Sequence, residues 1–323
     1  MQFWRVMGAT GRFMMRAGIV ILMFVAYQLW GTGLATSRAQ ASLTKEFDAQ
    51  IETLTPTIPN PETAPVETAP VDLPIPEPGD PIARLTIRAI DSDFVVVQGV
   101  DLKLLQDGPG HFPQTPLPGQ PGNAAIAGHR TTYKAPFNRI DELVPGDLIT
   151  VTTLQGTFTY AVDEQLDPKT LSPSGHQIVS SNNLSILDQS FGNRLTLMAC
   201  HPKFSAAQRI VVTATLTSTP APTTPIPDSV GVTTDASADA LAGGDSSAWP
   251  AAILLSLLTV LVWFGTWWLA RFWRRAPRGA RFQRVPRWKD WTFLTTYVVG
   301  TPLVLISMFF AFTCIARLLP SSF

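Results

Sequence analysis

Cys200, Arg209 and His129 are the side chains of this chain best suited by type and spacing to covalent chemistry. Cys200 ends the run Arg194-Leu195-Thr196-Leu197-Met198-Ala199-Cys200, where apolar residues alternate with others, so the run reads as a half-buried strand that closes on a thiol. Arg209 opens a second strand-like run to Leu216. Residues 201–208, with a Pro, a Ser and a Lys, suit a surface loop that joins the two as an antiparallel hairpin. A thiol at the end of one strand and a guanidinium at the start of its neighbour then lie side by side at the mouth of a sheet. There a thiolate can attack a carbonyl while the guanidinium holds the oxyanion. Such a nucleophile also needs a proton donor. The short apolar run Asn123 to Ala127, followed by Gly128-His129-Arg130, sets His129 at a strand end, where the sheet fixes position and loops open.

Each of these residues has a plainer reading. A free cysteine is often a small buried hydrophobe, and a lone arginine is usually a solvated charge. Against the first, Cys200 has no disulfide partner, because the only other cysteine, Cys314, falls in an apolar span. No Cys or His spacing suits a metal, so neither metal nor other cofactor is expected. His111 stands in a Gly-Pro-rich loop and His176 follows Ser174-Gly175. His201, if it continues the strand of Cys200, points to the opposite face. These three read as loop or surface residues rather than as the acid. Arg130 is the weaker competitor of Arg209.

The pieces TLMAC at 196–200 and Arg209, together with AIAGHR at 125–130, resemble the sortases, cysteine transpeptidases of Gram-positive cell surfaces. The segment from Gly108 to Asp147 is similar to the class E branch of actinobacteria, and the resemblance extends over roughly residues 81–218. One departure stands out. The family usually has Thr immediately before the nucleophile, and this chain has Ala199 there. The resemblance implies that Cys200 attacks the Thr-Gly carbonyl of a C-terminal sorting signal, that Arg209 stabilises the oxyanion, and that His129 protonates the leaving amine. An amine of a cell-wall precursor then releases the thioester, with His129 acting as base. It further implies a preference for Leu-Ala-X-Thr-Gly over Leu-Pro-X-Thr-Gly signals. Thr196, Leu197 and Ala199, beside the nucleophile, and His111 in the loop 108–122 are expected to contact the substrate. Reference pKa values near 8.5 for Cys and 6.5 for His mean that neutral pH need not favour the thiolate–imidazolium pair.

The elements that must position these residues follow from periodicity. Strand-like runs occur at Ala83–Ile90, Phe94–Gln98, Asn123–Ala127, Asp147–Leu154, Thr157–Leu166 and Gln177–Ser180, ahead of the hairpin, with turns at Pro145-Gly146 and Gln155-Gly156. The expected fold is all-β, a sortase-like closed β-barrel of about eight strands with short helices, one of them near Pro136–Leu143. This domain, residues 81–218, carries 10 Lys+Arg against 11 Asp+Glu, which excludes a nucleic-acid footprint.

Three apolar stretches surround it. Residues 17–35 follow Arg5, Arg12 and Arg16 in the N-terminal segment 1–16, so an anchor with its N-terminus inside is expected. Ala39-Gln40-Ala41 offers the alternative of a cleaved signal peptide. Residues 36–80 form a linker, with a possible short helix over 36–55 and a Pro-rich spacer over 56–80 that holds the domain off the membrane. Asp80-Pro81-Ile82 is a poor match to the Asp-Pro-aromatic lid of some pilin-polymerising sortases. Residues 219–248 have the composition of a disordered linker. The stretches 249–270 and 291–316 are further spans. The loop 271–290 between them carries Arg271, Arg274, Arg275, Arg278, Arg281, Arg284, Arg287 and Lys289, which places it in the cytoplasm and the tail 317–323 outside. An anionic lipid or cytoplasmic protein on that loop is the livelier alternative.

The expected protein is thus a multi-pass membrane enzyme with its catalytic domain outside the cell. Its expected partners are surface proteins with sorting signals, a peptidoglycan-precursor amine and the lipid bilayer. A pilin-polymerising sortase, which takes a pilin amine as acceptor, and a non-catalytic surface-binding module are the alternatives.

Overall fold

The computed structural model describes residues 2–54, 73–166, 172–183, 185–190, 192–224, 245–274 and 287–318. The chain divides into two compact units, one of residues 1–27 with 245–319 and one of residues 28–244 with the last four residues. Most of the linker expected over 219–248, of the basic loop, of the Pro-rich spacer over 56–80 and of the tail over 317–323 lies outside the described residues.

The second unit is a β-barrel. Its strands are β1 Pro81–Ile87, β2 Ser92–Gln98, β3 Gly110–His111, β4 Asn123–Ala127, β5 Leu148–Thr153, β6 Gly156–Val162, β7 Gln165–Leu166, β8 Pro173–Ser174, β9 Gln177–Ser180, β10 Arg194–His201 and β11 Gln208–Leu216. The main sheet runs β10-β4-β3-β2-β1-β5-β6-β11, and β10 pairs with β11, so eight strands close on themselves. β9 extends the edge of β11 beyond β6. Most neighbours are antiparallel, but β10 with β4 and β2 with β3 are parallel. Closure leaves few ladder groups unpaired and lets alternate residues fill the interior. Leu85, Ile87, Ile126, Ile149, Val151, Leu195, Leu197 and Ile210 are fully buried there.

Several elements depart from expectation for local reasons. The run Ala83–Ile90 leaves the sheet at Ile87, because Arg88–Ile90 form a 3-10 turn that ends on Asp91 in the left-handed region. The run Thr157–Leu166 ends its pairing with the barrel at Val162, and its last two residues pair with β8 instead. The helix expected near Pro136–Leu143 is a single 3-10 turn, Ile140–Glu142, inside a loop. His111, expected in a surface loop, lies instead on the two-residue strand β3, 1% exposed. So short a strand leaves no periodicity to detect. A four-residue helix, α3 (Leu102–Leu105), precedes it; its number follows α1 (Gln2–Ala26) and α2 (Thr32–Leu54), which a π-helical turn at Tyr27–Gly31 separates.

α2 is more than the polar spacer expected after the first span. It packs on the barrel with Thr32, Thr36, Gln40 and Phe47 buried. Because β3 covers only Val97 and Gln98 of β2, the backbone of Val95 faces away from β1 without a strand partner. The Gln40 carboxamide takes that place. Its Oε1 accepts from Val95 N at 2.8 Å, and its Nε2 donates to Val95 O at 3.0 Å and Asp107 O at 2.9 Å. Thr36 adds a bond from its hydroxyl to Gln106 O at 2.8 Å. Gln40→Ala is therefore expected to orphan buried backbone groups at about 1–3 kcal/mol each and to lower stability by about 2–5 kcal/mol in all. Denaturant unfolding of the full chain followed by tryptophan-independent far-UV signal checks this, and an unchanged midpoint would mean that water serves β2 equally well.

The first unit is helical. It contains α1, α4 (Trp249–Arg274) and α5 (Arg287–Leu318). Three helical stretches, Thr10–Thr53, Ser246–Phe272 and Thr295–Leu318, are long and apolar enough to cross a membrane. Phe24 and Tyr27 stack edge-on against Phe312 and Phe309 of α5. Gly300 of α5 meets Thr266 of α4 so closely that a Cβ there would lie 2.3 Å from its methyl, the approach that small residues permit between apolar helices. The N-terminal and C-terminal ends of this hairpin are clasped by an ion pair between Asp245 and Arg317.

Candidate active site

Three neighbouring strands bring the chemistry together. In the β10–β11 hairpin Cys200 is registered directly opposite Arg209, and registered partners in an antiparallel pair project from the same face. Leu195, Leu197 and Ala199 point into the barrel, so Cys200, with Thr196 and Met198, lies on the outer face. On the other side of β10 runs β4, parallel, with Ala127 opposite Met198. The ladder continues one step, since Gly128 N donates to Met198 O at 3.0 Å. Carried on in the same register, the next outward residue of this chain segment is His129, beside Cys200. Cys200 thus stands on the middle strand, with Arg209 opposite it on β11 and His129 two residues past the end of β4.

Each side chain is held from below. A Cβ on Gly128 would fall 2.7 Å from the Phe137 ring, so glycine is what lets the loop after β4 fold back tightly under His129. Phe137 N returns to His129 O, and Ser92 Oγ donates to Pro136 O. Phe137, Ile140 and Leu143 then anchor the loop in the core. His129 is 5% exposed and lies against the Tyr133 ring, centroids 4.8 Å apart.

The two arginines divide in role. Arg130 is 4% exposed and committed: Nη1 donates to Cys200 O and to His201 Nδ1, and Nη2 pairs with Asp141 at 3.0 Å. Because a guanidinium only donates, His201 Nδ1 must be the acceptor there, which commits that nitrogen to Arg130. Arg209 is 2% exposed and spends only Nη1, on the carbonyls of Ala206 at 2.8 Å and Gln208 at 3.1 Å. Its buried Nη2 has no hydrogen-bond partner among the described residues. A buried donor without an acceptor is costly and marks a place where a ligand oxygen would be welcome.

Burial pushes the Cys200 thiol up from its ordinary range, while the nearby guanidiniums of Arg209 and Arg130 pull it down. The net direction is upward, so the resting form at neutral pH is the thiol. Alkylation of Cys200 by iodoacetamide, followed on the Cys200 peptide by mass spectrometry, should therefore keep accelerating at pH values above those where a free cysteine has levelled off. A profile that levels off below the free-thiol range would mean that the two arginines outweigh burial.

The residues expected to touch substrate are placed differently from these three. Leu197 and Ala199 are interior side chains of the barrel. The Thr196 hydroxyl donates to Asn123 Oδ1 at 2.7 Å. Asn123 in turn donates to Ile186 O and Asp188 O, so Thr196 secures the segment that walls the outer face rather than offering its own oxygen. His111 Nδ1 lies 2.8 Å from Gln98 Oε1, and Nε2 lies 2.9 Å from Pro116 O and 3.1 Å from Thr115 Oγ1. Burial holds its pKa down at about 4, so it is neutral, and its one N–H serves only one of the two oxygens at a time. Beside Cys200 the outer face is apolar instead. Ala125, Ala127, Met198 and Val211 form its floor, with Val179, Ile186 and Leu187 packed against them. These floor residues were not singled out from sequence; the signal was the second apolar face of β4 and β10, which half-buried alternation conceals.

Residues 85–217 match the family model of the sortase domain. The chain is 29% identical over 220 residues to Sortase SrtE1 of Streptomyces coelicolor, covering 63% of this chain and 55% of that protein. It is 30% identical over 128 residues to Sortase D of Bacillus subtilis, covering 39% and 58%. It is 26% identical over 219 residues to Sortase SrtE2 of Streptomyces coelicolor, covering 65% and 81%. The chain thus spans little more than half the length of the first two relatives. Among solved structures, sortase E from Streptomyces avermitilis is 28% identical with a TM-score of 0.37, covering 44% of this chain and 91% of that one. Sortase E1 from Streptomyces coelicolor, with a tripeptide in its active site, is 29% identical with a TM-score of 0.36, covering 44% and 91%.

Proposed function

Given that residues 85–217 are a sortase domain, and that similarity to two Streptomyces class E sortases supports the same class here, we propose that the protein is a membrane-anchored cysteine transpeptidase. It cleaves a C-terminal sorting signal between Thr and Gly and passes the surface protein to an amine of the cell wall. The observation that carries this reading is the registration of Cys200 against Arg209 across β10 and β11, with a buried guanidinium nitrogen of Arg209 unspent among the described residues and His129 two residues past the end of β4, the strand parallel to β10.

The steps follow from that row. The Cys200 proton passes to His129, and the thiolate attacks the Thr carbonyl carbon, forming the C–S bond. Negative charge moves to the carbonyl oxygen, where Arg209 Nη2 donates to it. The imidazolium of His129 gives its proton to the Gly nitrogen as the C–N bond breaks, leaving a thioester and a free amine. An incoming amine attacks the thioester, His129 takes its proton, and Cys200 departs as thiolate. Burial of the thiol means that only a fraction of molecules holds the thiolate–imidazolium pair at neutral pH. The apolar floor of Ala125, Ala127 and Met198 is suited to the aliphatic side chains of a Leu-Ala-X or Leu-Pro-X segment.

Arginines ahead of the first span and the basic loop between the other two place both on the cytoplasmic side. The barrel is then outside, where sorting signals and wall amines meet.

The test incubates the full-length chain in detergent micelles with Leu-Ala-X-Thr-Gly and Leu-Pro-X-Thr-Gly peptides and an excess of amine, read by mass spectrometry. A thioester on Cys200 and a transferred product ending at Thr are expected, with the better signal identified by rate. No adduct with either peptide, on a folded chain, would turn the reading toward a barrel that only binds. Competing a short glycine-type amine against a lysine side-chain amine separates wall attachment from pilin polymerisation.

A further inference from the structure

We propose that Tyr133 is a positioning residue for His129, and that the first turn of α2 holds it in place; this deepens the transpeptidase reading and rests on it for the role of His129. Tyr133, Lys134 and Ala135 have φ of 53°, 60° and 44°. Three consecutive non-glycine residues in the left-handed region are costly and persist only where the surroundings over-determine them. The turn stands between His129 and the loop anchor Phe137, and its product is the Tyr133 ring tilted 42° against the His129 ring at 4.8 Å. A ring against one imidazole face restricts rotation about the His side chain.

What supports the turn is α2. The Thr32 hydroxyl accepts from Tyr133 N at 3.3 Å while donating to Gln28 O at 2.9 Å, and Thr32 is 2% exposed. A Cβ at Gly33 would be in contact with the Lys134 side chain at 3.5 Å, so the helix passes directly beneath the turn. The Ala135 N–H closes it on Thr132 O at 2.8 Å. Gln40 and Thr36 fasten the same helix to β2 and to the residues after α3. α2 is therefore a structural part of the catalytic unit, bracing the turn whose Tyr133 ring orients the acid.

The experiment compares wild type, Tyr133→Gly, Tyr133→Phe and Thr32→Val as full-length chains in detergent. Glycine accepts the left-handed backbone, so the first variant removes the ring without adding strain. Tyr133→Gly should lower kcat about tenfold or more, since a misplaced acid loses much of its effect, with KM changed by less than about twofold. Tyr133→Phe should retain most of kcat, and Thr32→Val should fall between. Ring-current shifts of the His129 imidazole protons, read by NMR, should be present in wild type and Tyr133→Phe and lost in Tyr133→Gly. Wild-type kcat in Tyr133→Gly, an equal loss in the Phe variant, or a loss carried by KM would overturn the proposal. A wild-type chain that forms no thioester overturns the transpeptidase reading instead, and the imidazole shifts then decide the Tyr133 contact by themselves.

Discussion

Cys200→Ala leaves no thioester and no transferred product while the barrel stays folded. The effect is expected to be complete, because the chemistry begins with a C–S bond and no other thiol stands among the described residues of the barrel unit. Cys200 contributes little to the core, for it lies on the outer face of β10, away from the residues that fill the barrel, and its removal deletes a single sulfur. The loss of stability should be on the order of 1 kcal/mol. Activity and stability are thereby separated in one variant. Mass spectrometry of the peptide reaction and a thermal unfolding scan read the two together; a surviving acyl adduct on the variant would move the nucleophile elsewhere.

Arg209→Ala should lower kcat about 10²–10³-fold, the range for removing one donor from an oxyanion site, with a much smaller change in KM. The reasoning is electrostatic. Arg209 Nη2 is buried and unspent, so its interaction grows as charge develops on the carbonyl oxygen rather than being made in the ground state. The same substitution removes one of the two charges that restrain the upward push on the Cys200 thiol. Its alkylation profile should therefore shift further toward high pH. Arg209 Nη1 also ties down the carbonyls of Ala206 and Gln208, so the hairpin loop loosens as well, and Arg209→Lys distinguishes the two effects by restoring charge without the fork. A variant whose loss appears wholly in KM would reassign Arg209 to substrate binding.

Arg130 illustrates how far residue types alone can carry an assignment. Two arginines compete for the role, Arg209 in the hairpin and the weaker candidate Arg130 beside His129. Their hydrogen bonds separate them: Arg130 is shared among Cys200 O, His201 and Asp141, while Arg209 keeps a nitrogen in reserve. The hairpin itself was legible, because an alternating run, a short polar loop and a second run leave one plausible pairing, and its register sets Cys200 against Arg209. The limits of β4 and β9 were also legible, since each is bounded by turn residues.

The helix α2 was only half legible. A helical segment after the first span is readable from composition, but its use of Gln40 to complete β2 is not, since that depends on β3 being two residues long and leaving Val95 uncovered. His111 fails for a related reason: a two-residue strand has no period, so a histidine buried among Gln98, Thr115 and Pro116 looks in sequence like a loop residue.

The chain's local patterns were enough to establish the β-rich domain, its apolar flanking stretches and the three chemically able side chains, because alternation, charge and turn residues are properties of neighbours in sequence. The tertiary structure alone decided that β4 lies parallel to β10. That pairing joins segments far apart in the chain, and it brings the end of β4, two residues before His129, alongside the strand that ends in Cys200 and His201. It also decided which donor stays unspent and which helix braces the turn beneath Tyr133. Such outcomes depend on burial and on competition among distant hydrogen-bond partners, and no local pattern encodes either.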